Sequence, residues 1–80
     1  MEEEFEKLLD AQNENELKEL EKFFLDKTKE ALDSDFKANA LDIAAEFDEF
    51  RRVARDEENM PFYAGFFATL SDLIKRHYRP

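Results

Sequence analysis

The chain has 80 residues and no cysteine, which fits one small domain and excludes disulfides and thiolate metal sites. It carries 21 acidic and 12 basic residues, for a net charge of −9 at pH 7. That balance disfavours direct binding to nucleic acid, whose phosphates need clustered Lys and Arg. Nine phenylalanines and a 42% hydrophobic content are too much apolar material for a disordered chain.

The charge is uneven. Residues 1–60 hold 20 acids and nine bases, whereas residues 61–80 hold one acid and three bases. The opening Met-Glu-Glu-Glu has neither the basic start nor the apolar run of a secretory signal. The longest apolar stretch, Met60 to Leu70, is about half the roughly 20 residues that a membrane span needs. The expectation is a soluble, cytoplasmic protein with no membrane association. A domain of this size buries only about 60% of the surface its unfolded chain exposes, so association with another chain is a natural source of added stability.

One glycine, two prolines and few β-branched residues leave little for strands and turns. The apolar spacing is helical almost throughout. It predicts an all-α fold over residues 1–80, a small bundle of three long helices plus a short N-terminal helix, at about 2–12, 14–32, 35–57 and 61–78.

In the first helix Phe5, Leu8 and Leu9 form a short stripe, and Glu2, Glu3 and Glu4 sit where the helix dipole favours anions. Asn13, with Glu16 three residues on, has the pattern of a capping box and should start the second helix. There Leu17, Leu20, Phe24, Thr28 and Ala31 recur at spacings of three and four, with Phe23 and Leu25 on opposite flanks. Asp33, Ser34 and Asp35 are three candidate N-caps for the third helix. Its stripe runs Phe36, Ala40, Ile43, Phe47, Phe50 and Ala54, while Leu41, Ala45 and Val53 point elsewhere. Asp48 should make ordinary surface pairs with Arg51 and Arg52.

Pro61 suits the first position of the fourth helix. At about 100° per residue, Phe62, Leu73, Phe66, His77, Leu70, Tyr63, Ile74, Phe67 and Tyr78 follow one another around the axis. That arc covers about 160°, wider than the roughly 100° stripe of a simple surface helix. The opposite side carries Ala64, Gly65, Ala68, Asp72, Lys75 and Arg76, and the pair Asp72 and Arg76 is spaced for an i,i+4 contact. Phe24, Ile43, Phe47, Phe50, Phe66 and Leu70 are the expected core.

Motifs for chemistry are missing. The stretch from Asp33 to Ala44 starts like a calcium loop, but Lys37, Ala38 and Ala44 stand where an oxygen ligand, a glycine and a bidentate glutamate are required. The single histidine, His77, follows Leu73 and Ile74, where a di-iron bundle motif would need a glutamate. Ser71 and His77 point about 120° apart on one helix, so they cannot act as nucleophile and base together. No glycine-rich loop can cradle a phosphate. His77 can be read as a partner anchor or as a helix-end histidine bonded to a carbonyl or water.

The sequence therefore predicts a small acidic protein–protein interaction module without catalytic activity or cofactor, self-associating and binding a protein partner. The candidate partner-binding residues are Phe62, Tyr63, Phe67, His77, Tyr78 and Leu41. The alternative is an acidic inhibitor of a basic target, such as an immunity protein or a phage-type nucleic-acid mimic, for which charge complementarity speeds association. Lys18, Lys22 and Lys29 interrupt the acidic face of the second helix and weaken that case.

Overall fold

The computed structural model describes residues 1–78, which form helices α1 (Glu2–Asp10), α2 (Glu14–Asp33), α3 (Lys37–Asp56) and α4 (Pro61–His77). The chain is all-α, with no strand among the described residues.

The breaks between helices come from local hydrogen bonding. Ala11 is extended, and Asn13 accepts from the Glu16 N–H at 2.9 Å. The Glu16 carboxylate reaches back to the N–H of Gln12 at 3.3 Å. The capping box is thus present, but its return bond falls one residue before the cap, and α1 ends at Asp10 rather than at residue 12. This bond separates α1 from α2 as two helices.

The start of α3 differs from the sequence reading. Asp33 is the last residue of α2 and Ser34 is its C-cap. Ser34 Oγ accepts from the Phe36 N–H at 3.0 Å, a local serine turn that holds Phe36 extended. Phe36 is therefore the N-cap, α3 begins at Lys37, and none of the three expected side chains caps it. The Phe36 ring is 73% exposed instead of opening the buried stripe.

Between α3 and α4 the chain turns through Asn59, whose φ of +50° lies in the left-handed region. The N–H of Met60 donates to the Ala54 carbonyl at 2.7 Å, which closes the end of α3. Pro61 then opens α4. Asparagine tolerates this backbone and glycine is freer still, whereas a β-branched side chain clashes. Asn59→Val is expected to destabilise the fold by about 1–2 kcal/mol, while Asn59→Gly should leave the denaturation midpoint within experimental scatter of wild type.

The core is a cluster of phenylalanines drawn from all four helices. Phe5 stacks on Phe50 with ring centroids 4.3 Å apart. Phe24 meets Phe67, Phe50 and Phe47 edge-on at 5.0, 6.0 and 6.1 Å. Leu8, Leu70 and Ile74 fill the space around the rings. Each fully buried side chain of this kind contributes about 1.5–3 kcal/mol, and aromatic pairs add about 0.5–1.5 kcal/mol. Thr28 is accommodated because its hydroxyl donates to the Phe24 carbonyl at 2.9 Å. Among the described residues, no buried side-chain nitrogen or oxygen lacks a partner.

Of the expected core, Phe24, Phe47, Phe50 and Leu70 are buried, whereas Ile43 and Phe66 sit half-buried at its margin. The reason is the way α4 is turned. Its buried residues are Tyr63, Ala64, Phe67, Leu70, Ser71 and Ile74. Ala64 and Ser71 lie outside the apolar arc read from sequence, on its far side. They are buried because α3 and α4 form the most extensively packed pair of helices. Ala40, Ala44 and Ala54 of α3 are fully buried, and such small side chains let two helix backbones approach. The turn of α4 toward these alanines leaves the leading edge of its arc outside the core.

Candidate functional site

That leading edge is the outer face of α4. Phe62 is 67% exposed and Leu73 46% exposed, with Phe66 half-buried and His77 exposed beside them. The spacings of four, seven and four residues place the four side chains within about 60° of arc on one side of the helix. Phe62 leans edge-on against Tyr63 at 5.0 Å, and Tyr63 against Phe66 at 6.0 Å, so the exposed rings are continuous with the interior.

Three of the residues expected to bind a partner are engaged within the chain. Phe67 has no exposed surface and lies among the core rings, where no partner can reach it. The Tyr63 hydroxyl donates to Glu21 Oε2 at 2.9 Å, and the ring is buried. Burial, then the bond to Glu21, push this hydroxyl's pKa up to about 12. The Tyr78 hydroxyl lies 2.7 Å from the Ala31 carbonyl and 2.8 Å from that of Ser34. Its single hydrogen is shared between these two carbonyls at the end of α2, of which that of Ala31 also accepts from the Ser34 N–H at 3.3 Å. All three side chains lie at the α2–α4 side of the arc, which the intact bundle covers.

The two tyrosines also set the geometry of that seam. Partners 42 residues apart at one end and 44 to 47 apart at the other mean that α2 and α4 run parallel, side by side. Leu25, one turn after Glu21, stands level with the middle of α4 and is 45% exposed. Phe62, Phe66, Leu73 and Leu25 therefore border the same side of the molecule. Leu41 is exposed but does not join them. It shares a flank of α3 with Asp48, seven residues on, and Asp48 contacts α4 on the side away from Phe62.

That contact is a second correction to the sequence reading. Asp48 accepts from Ser71 Oγ at 2.6 Å and from Lys75 Nζ, both on α4, rather than pairing with Arg51 and Arg52. Arg52 instead bonds Glu49 at 2.6 Å and Glu57 at 3.0 Å. Burial pushes the Asp48 carboxyl up, but the bonds from Lys75 and Ser71 outweigh it and hold the pKa below the ordinary value. A folded-state value below the unfolded one, about 4, gives stability that is complete above pH 4 and lost as pH falls through the folded value. Asp48→Asn should therefore lower the melting temperature at pH 7, and the gap from wild type should narrow as pH falls below about 4 and close once it is below the lowered folded-state value. A gap that is constant with pH would mean that the charge of Asp48 is not what matters. The expected pair of Asp72 with Arg76 is present at 2.7 Å.

On the far side, α1 and α2 enclose a groove of about 710 Å³. Glu3, Glu4, Glu6, Asp10, Glu16 and Glu19 line it, with Lys7 among them and Leu20 and Phe23 at its base. No group of three or more His, Cys, Asp or Glu among the described residues is placed to hold a metal ion. None of the described helices is long and apolar enough to cross a membrane.

No protein-family model, curated protein or solved structure matches the chain. The surface chemistry is thus the only guide to function. Sequence periodicity placed Phe62 and His77 in the apolar arc but could not tell its covered half from its open half. The one readable signal was the width of the arc.

Proposed function

We propose that the protein is a small, non-catalytic interaction module that self-associates through the outer face of α4. The reading rests on one observation: four helices cover only part of the apolar arc of α4, leaving Phe62 largely and Leu73 nearly half in solvent. Leu25 and Phe66 extend the same surface. Large apolar side chains exposed together on one face are costly in water, and burial against another chain recovers about 25 cal/mol per Å² of apolar surface. The net charge of −9 opposes association of two copies, but that repulsion acts over a Debye length of only about 10 Å at 0.1 M salt. Apolar self-association should thus hold or tighten as salt rises.

The groove between α1 and α2, with its six carboxylates, favours the second reading, an inhibitor of a basic target. Binding by that surface weakens with salt. Light scattering across a concentration series at 50 mM and 500 mM salt separates the two. A mass rising toward twice 9.5 kDa at both salts supports self-association. A monomer at every concentration contradicts it and leaves the carboxylate groove as the remaining ground for function.

A further inference from the structure

We propose that two copies pair through α4 in antiparallel orientation, about a two-fold axis passing near Thr69. The inference rests on the self-association reading and specifies its geometry. Phe62, Phe66, Thr69 and Leu73 are spaced four, three and four residues apart, the spacing of a seam along which one helix packs on another. Thr69 lies at its middle, exposed, with its hydroxyl turned back to the Gly65 carbonyl at 2.9 Å. Gly65 adjoins it, and a Cβ built there meets nothing within 4 Å, so a second helix can come close at the centre.

Charge decides the orientation. The last turn of α4 carries Lys75, Arg76 and His77. Its N-terminus has no acidic residue in the first turn, but exposed Glu58 lies three residues before Pro61, next to Glu57, which bonds Arg52. Antiparallel pairing brings Arg76 of one copy toward Phe62 and Glu58 of the other, and sets Phe66 against Leu73. It also aligns opposite ends of the two helix dipoles. Parallel pairing would set Arg76 against its own copy. The Asp72–Arg76 pair is exposed on both sides, a kind of contact that contributes little to stability, so Arg76 is available to a partner.

The absence of cysteine makes the test direct. Three variants are prepared, Thr69→Cys, Arg76→Cys and Phe62→Cys, and treated with a short bis-maleimide at a concentration where wild type is dimeric. Antiparallel pairing predicts that Thr69→Cys links to itself. It predicts that Arg76→Cys alone does not, because its two copies lie on opposite sides of the axis. It also predicts that Arg76→Cys links to Phe62→Cys in an equal mixture, with one partner tagged for size. Each variant carries a single cysteine, so that product is intermolecular. Self-linking of Arg76→Cys overturns the orientation while leaving self-association intact. No linking by Thr69→Cys in a sample whose mass is that of a dimer overturns the use of this face. A monomeric wild type removes both this inference and the reading beneath it.

Discussion

Phe24→Ala is expected to destabilise the fold by about 3–5 kcal/mol, the cost of removing a fully buried ring and leaving a cavity. Phe24 has no exposed surface, and its ring touches those of Phe67, Phe50 and Phe47 on two other helices. Two of those rings, Phe50 and Phe67, are themselves held against Phe5, which limits how far the core can close the gap. At about 0.05–0.15 kcal/mol per residue, an 80-residue chain has about 4–12 kcal/mol in all. The loss should lower the melting temperature by more than about 12 °C, at about 4–8 °C per kcal/mol for a domain of this size. Phe47→Ala belongs to the same cluster and should behave alike. A Phe24→Ala protein melting within a few degrees of wild type would mean that α2 does not present this face to the core.

The second large effect concerns association rather than folding. Phe62→Glu combined with Leu73→Glu places two carboxylates on the outer face of α4, where both side chains are now more than two-fifths exposed. In the monomer these substitutions remove no fully buried side chain, so stability at high dilution should stay within about 1 kcal/mol of wild type, about 0.5 kcal/mol for each site. In the dimer Leu73→Glu sets a carboxylate against the partner's Phe66, and Phe62→Glu removes an apolar ring from the seam, a loss that an exposed pairing with the partner's Arg76 offsets little. Loss of one of the few anchor residues of an interface costs about 2 kcal/mol or more, which is about a thirtyfold rise in the dissociation constant. Dilution matters in the comparison, because dimer formation itself raises apparent stability by mass action. Phe67 and Tyr63 cannot serve for this purpose, since their substitution would damage the core.

Much of the architecture was legible because helical periodicity and caps are local. Four helices, the Asn13 cap and Pro61 at the start of α4 follow from residues within a turn of one another. The rotation of α4 was not, because it depends on Ala40, Ala44 and Ala54 on another helix admitting Ala64 and Ser71. Small residues add little to an apolar count, yet they decide which side of a helix comes closest to its neighbour. The same limit hid the Asp48–Ser71–Lys75 contact, whose members are 23 and 27 residues apart. It also hid the tyrosine bonds to α2, without which Tyr63 and Tyr78 read as free aromatics. The Ser34 turn was local, but three adjacent polar residues offered competing caps and the serine chose the amide of Phe36.

The measurement that tests the account most directly is sedimentation equilibrium of wild type beside Phe62→Glu/Leu73→Glu, over a hundredfold range of concentration at 0.15 M salt. Wild type is predicted to approach twice 9.5 kDa at the upper end, and the double variant to remain at 9.5 kDa throughout with an unchanged helical spectrum. A wild type that stays monomeric, or a double variant that dimerises as wild type does, would contradict the claim that a second chain covers α4.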